Sequence, residues 1–113
     1  CAESALFHRR HAVDPDFGGR APGEEGARLA TLVTPETRAV VLANYGLLLV
    51  GARTAEAVQS LVLFERAAGT YLEALATGRP LRIMPEEIAA ALPAPDADDF
   101  FATIRAAQEA GSA

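Results

Sequence analysis

The side chains of this sequence that have the chemistry to transform or hold a substrate fall at a few places. Tyr45, with Asn44 and Gly46, interrupts two apolar runs, residues 39–43 and 47–50. A phenol in that setting is either an aromatic packed at a turn or a group displayed for proton transfer or ligation. Its unperturbed pKa is near ~10. His8 and His11 flank Arg9 and Arg10. On a helix the two imidazoles would share a face. Two histidines beside two arginines also read as a polar surface or an anion site, with Arg9 and Arg10 able to touch a phosphate or carboxylate. Cys1 carries a thiol next to an α-amine, which can act as its base in an N-terminal nucleophile; its position is also explained by the chain having been cut there. Glu65 falls within an apolar stripe, where an acid is paired with an Arg or protonated if buried.

Composition removes several chemistries. All 10 basic residues are Arg, so no lysine is present to form a Schiff base. The net charge of −5 and the lack of basic runs argue against nucleic acid and anionic membrane as partners. A single Cys excludes an intrachain disulfide and suits a reducing, cytoplasmic setting. No run approaches the ~20 apolar residues of a membrane span, and no signal peptide is visible. The 113 residues amount to one domain at most.

The elements that must position these groups follow from pattern. Residues 2–12 read as a short helix or a strand entry. Asp14-Pro15-Asp16-Phe17-Gly18-Gly19 is a loop by turn chemistry. Gly23-Glu24-Glu25 opens a helix whose first-turn acids suit the dipole, running to Val33 and ending at Thr34-Pro35. The runs at 39–43 and 47–50 predict strands buried on both faces, joined as a hairpin by three residues that include a Gly. Thr54 is the expected cap of a helix reaching about Thr77. Its expected inner stripe is Val58, Leu61, Glu65, Ala68, Leu72 and Leu75, and Gly78 and Pro80 stop it. A short helix follows Pro85, and a last one, headed by Asp96, Asp98 and Asp99, runs to about Glu109. The class is α/β with a small sheet. Two strands alone do not make a stable sheet, so further strands are expected from outside the chain. An opening that lacks a cap or polar lead-in predicts that the chain is the C-terminal part of a longer polypeptide.

The string from Ala39 through Asn44-Tyr45-Gly46 to Gly51-Ala52-Arg53-Thr54, followed by Leu63-Phe64-Glu65-Arg66, resembles the C-terminal half of class II aldolase/adducin domains. Residues 1–19, with Leu6-Phe7-His8 and Asp16-Phe17-Gly18-Gly19, also resemble the segment that precedes it. The likeness covers residues 1 to about 90. It implies an α/β/α sandwich around a mostly antiparallel central sheet, completed by an absent N-terminal segment. Residues 1–93 would be the C-terminal part of that domain and 94–113 a C-terminal helix. It also implies a lyase that makes or breaks a carbon–carbon bond beside a carbonyl, in a homo- or hetero-oligomer with shared sites. In the family a divalent metal polarises the carbonyl, held by a His-x-His pair and the His of Asn-His-Gly. Here that last His is Tyr45, and the pair is not in the chain, so it supplies none of the standard ligands. A bound zinc or iron would draw most of its ligands from the absent segment, expected as a separate partner chain. Tyr45 would then be a phenolate ligand or a metal-free acid or base, backed by Asn44 and Gly46, with His8 and Arg9 toward the substrate. The alternative is a non-catalytic, adducin-like assembly module.

Overall fold

The computed structural model describes residues 1–112. A 3-10 helix over Glu3–Phe7 leads into strand β1 (His11–Asp14), helix α1 (Pro22–Ala30), strands β2 (Ala39–Leu42) and β3 (Gly46–Leu49), and helices α2 (Thr54–Ala76), α3 (Glu86–Ala91) and α4 (Ala97–Gly111). The ambiguity at residues 2–12 resolves into both readings, a helical turn and then a strand. The sheet order is β1-β2-β3. β1 pairs in parallel with β2, from His11 opposite Ala39 to Asp14 opposite Leu42, and α1 lies in the crossover that a parallel pair requires. β2 and β3 form the hairpin, antiparallel, from Ala39 opposite Leu49 to Leu42 opposite Gly46. Among the described residues the sheet is therefore mixed, with one pair of each kind, in an α/β fold of three strands and four α-helices.

β2 is central because Ala-Val-Val-Leu asks for burial on both faces. Ala39 and Val40 are fully buried and Leu42 nearly so. The same expectation fails for β3, which is only half-buried because it lies at the sheet edge. The core gathers Leu6, Phe7, Ala39 and Leu63, with Leu49, Phe64 and Phe100 packed against it. Phe7 and Phe64 meet edge to face with ring centroids 5.0 Å apart, a favoured aromatic geometry.

α1 is shorter than the pattern suggests. It starts with Pro22 in its first turn and ends at Ala30; the Thr34 amide then bonds to Thr37 Oγ1 at 2.9 Å, a side-chain turn that competes with helix. α2 has the expected length, and Gly78 follows its end with φ +67, the left-handed stop that glycine allows. Two details differ. Arg53 takes the cap position and makes no side-chain cap bond, while the free amide of Ala52 is taken by the Glu56 carboxylate at 2.9 Å. The buried face is Ala55, Gln59, Ser60 and Leu63, whereas Leu61, Leu72 and Leu75 are exposed, and so is Glu65. Gln59 can be inside because its amide donates to the Pro95 carbonyl at 2.8 Å. That bond, the Arg53–Asp98 ion pair at 2.6 Å and Phe100 seat α4 on α2.

Candidate functional site

The β2–β3 corner is built by backbone conformation. Asn44 has φ +61 and Gly46 has φ +152; Asn tolerates the first, and the second is glycine territory. The Tyr45 amide donates to the Leu42 carbonyl at 3.2 Å, closing the turn. Asn44 holds the corner by its own backbone conformation; its side chain makes no hydrogen bond among the described residues. Tyr45 between them is 78 % exposed. Its ring lies on Phe17, with centroids 4.5 Å apart and planes tilted by 55°. Its hydroxyl has no hydrogen-bond partner among the described residues. The corner thus presents a phenol outward on a fixed turn, steadied on one side by an aromatic ring.

Beneath the corner lies a charge cluster that pattern reasoning passes over. Asp14 ends β1 and is 3 % exposed; Glu25 on α1 is 7 % exposed. Arg28 joins them, donating to Asp14 through Nη1 at 3.0 Å and Nη2 at 2.5 Å, and to Glu25 through Nη2 at 2.5 Å and Nε at 3.2 Å. Arg20 adds a bond to Glu25 Oε2 at 3.3 Å and one to Asp16 at 2.7 Å. The hydrogen bonds from Arg28 hold the carboxyls of Asp14 and Glu25 below the ordinary carboxylate range, against desolvation, which pushes them up. The same bonds, to Asp14 first, raise Arg28. All three groups are charged at neutral pH. The signal available in sequence was the Glu25–Arg28 spacing of three on a helix; Asp14, across the crossover, gave none.

The other expected site residues lie elsewhere. His8 and Arg9 precede β1 at the end where His11 stands, and Tyr45 follows the end where Asp14 stands, so the length of β1, about 10 Å, separates them. Arg9, with φ +55, places its guanidinium on Glu86, and His8 Nε2 is 3.9 Å from the same carboxylate. His8 Nε2 is buried without a hydrogen bond. These residues, with Arg10, Glu36 and α3, line a cavity of about 590 Å³. His11 is on a strand, its Nδ1 donating to the Phe7 carbonyl at 2.8 Å, so the two histidines share no helix face. Cys1 is exposed ahead of the 3-10 helix, its carbonyl accepting from Ser4 Oγ at 2.7 Å. Glu65 is exposed and has no ion pair among the described residues.

A metal at the corner would need donors around Tyr45. Among the described residues no group of three or more His, Cys, Asp or Glu could hold one, and both oxygens of Asp14, the acid under the corner, are taken by Arg28. Among the described residues no helix is long and apolar enough to cross a membrane.

Comparison with known proteins places the hairpin corner and its supports in one stretch. A family model described as Class II Aldolase and Adducin N-terminal domain matches residues 2–72, from the 3-10 helix into α2. No curated protein matches.

Proposed function

The chain belongs to the class II aldolase/adducin family, and from that premise we propose that it is part of an aldolase-like lyase acting at a carbon centre next to a carbonyl. Tyr45 is its working group. The observation that carries this reading is the exposed phenol, held outward by Asn44 and Gly46 and free of hydrogen bonds among the described residues. In the proposed reaction the phenol hydrogen-bonds to the substrate carbonyl oxygen. As the neighbouring carbon–carbon bond breaks, its electron pair moves toward that oxygen, and the phenol stabilises or protonates the developing enolate. The remaining groups, a base among them, come from another polypeptide surface: an N-terminal partner segment or a second subunit. His8 and Arg9, at the far end of β1, serve a neighbouring corner in such an assembly rather than their own.

A second reading, assembly without catalysis, is favoured by the apolar surface of α2, where Leu61, Tyr71, Leu72 and Leu75 are all 45 % exposed or more. Tyr45→Phe separates the two. It removes one hydroxyl and keeps the ring on Phe17. Turnover of small aldehyde, ketone and sugar-phosphate substrates should fall by about 10²–10⁴, with the circular dichroism spectrum unchanged. Full turnover in the variant defeats the Tyr45 reading. A wild-type protein that cleaves no carbonyl substrate, yet loses its oligomeric state on Leu72→Glu, supports assembly.

A further inference from the structure

We propose that Arg28 is a positioning residue for Tyr45: its guanidinium, gripped by Asp14 and Glu25, fixes both the main chain under the hairpin corner and the loop that carries Phe17 against the Tyr45 ring. The consequence for turnover rests on the reading of Tyr45 given above; the geometry does not.

Two routes run from Arg28 to the phenol. The first passes through Asp14. Both its carboxylate oxygens accept from Arg28, and its main-chain carbonyl accepts from the Ala43 amide at 2.8 Å, in the turn itself. Asp14 is therefore at once the grip and the platform of the corner, in register with Leu42, which faces Gly46. The second route passes through the loop between β1 and α1. The Asp16 amide donates to Asp14 Oδ1 at 3.2 Å. Arg20 spans from Asp16 to Glu25, and Glu25 is itself held by Arg28. Phe17 lies between Asp16 and two glycines of positive φ, Gly18 at +121 and Gly19 at +79. Such a loop has little local stiffness of its own, so the polar ties at its ends decide where Phe17 stays.

The guanidinium is chemically required. Two buried carboxylates that lose their shared cation repel and must take up water or protons. An ammonium on a flexible stem cannot reproduce the fork to both, so Arg28→Lys counts as a loss and not as a conservative change.

Aromatic NMR of the whole protein tests this, with the Tyr45 ring signals assigned by their disappearance in Tyr45→Phe. The wild type should give a Phe17–Tyr45 cross-peak and, from the core, a Phe7–Phe64 cross-peak. Arg28→Lys should lose the first and keep the second. Retention of both overturns the proposal. Should Arg28→Lys lose both by unfolding, Asp14→Asn decides the matter, because it removes the charge that Arg28 grips while keeping the side-chain shape and the main-chain carbonyl that accepts from Ala43. A weakened Phe17–Tyr45 cross-peak beside an intact Phe7–Phe64 one supports the proposal, and an unchanged one overturns it. If Tyr45→Phe retains full turnover, the proposed reaction fails while this ring geometry can still be read.

Discussion

Tyr45 owes its position to its neighbours more than to itself. Asn44 and Gly46 take backbone angles that few residues adopt, and the phenol is displayed because the turn leaves it nowhere to pack except on Phe17. Gly51, a few residues on, is needed for a different reason. A Cβ there would stand 2.7 Å from the Ala57 amide nitrogen, 2.8 Å from Glu56 Cβ and 3.1 Å from the Arg53 carbonyl oxygen. Two of these atoms belong to the backbone at the start of α2 and cannot swing aside. Gly51→Ala should therefore cost about 1–3 kcal/mol, seen as a lower denaturation midpoint in urea. An unchanged midpoint would show that the helix start can shift to admit a methyl group. The hairpin corner itself was legible in sequence because the apolar runs on either side frame Asn44-Tyr45-Gly46. The Arg28 cluster was not legible, since its partners lie on a helix and at a strand end that only the crossover brings together.

At the scale of elements, the lengths of α2 and of the hairpin strands follow from sequence, while the orientation of α2 does not. A stripe at spacings of three and four satisfies the helical period, but α2 is apolar on more than one side. What decides the inner face is what packs against it. The 3-10 helix brings Leu6 and Phe7 to Leu63, α4 brings Phe100 to the same cluster, and the Pro95 carbonyl just ahead of α4 meets Gln59. Neither source of cover is visible from the periodicity of α2 alone, and so Gln59 and Ser60 are buried where Leu72 is not. Substitution gives the face directly. Leu63→Ala, at 4 % exposure, should lose about 2–5 kcal/mol. Leu72→Ala, at 63 % exposure, should fall within about 0.5 kcal/mol of wild type in an isolated chain. A large cost at Leu72 in the purified protein would mean that something covers it in solution. The parallel β1 was half legible: His11 to Asp14 holds only two apolar residues, Ala12 and Val13, and Val13 is 63 % exposed, so no alternation announced a strand.

The whole molecule is looser than its length predicts. Its radius of gyration is 15.9 Å, against about 13 Å for a compact domain of this size, and among the described residues seven hydrophobic ones are buried. With so small an apolar core, the buried ion cluster has a large share in uniting α1 with the sheet. Its carboxyls titrate below their ordinary values, so the sign of the pH effect is fixed. The stabilisation is complete above the unfolded-chain values of about 4, and it is lost as pH falls through the lowered native values. Urea denaturation should show a midpoint that holds from pH 7 to about pH 5 and drops below about pH 4. Asp14→Asn with Glu25→Gln should start from a lower midpoint at pH 7 and flatten that acid limb; an acid limb as steep as wild type would remove the cluster from the account.

The outer side of β3 has a further consequence. Gly46–Leu49 is an edge strand with three leucines in a row, and no lysine or proline interrupts it. Unpaired amides and carbonyls along such an edge are a template on which another extended chain can zip. Stored alone at high concentration, the protein is expected to convert slowly into cross-β fibrils that bind thioflavin, and a Leu48→Lys gatekeeper should delay their growth.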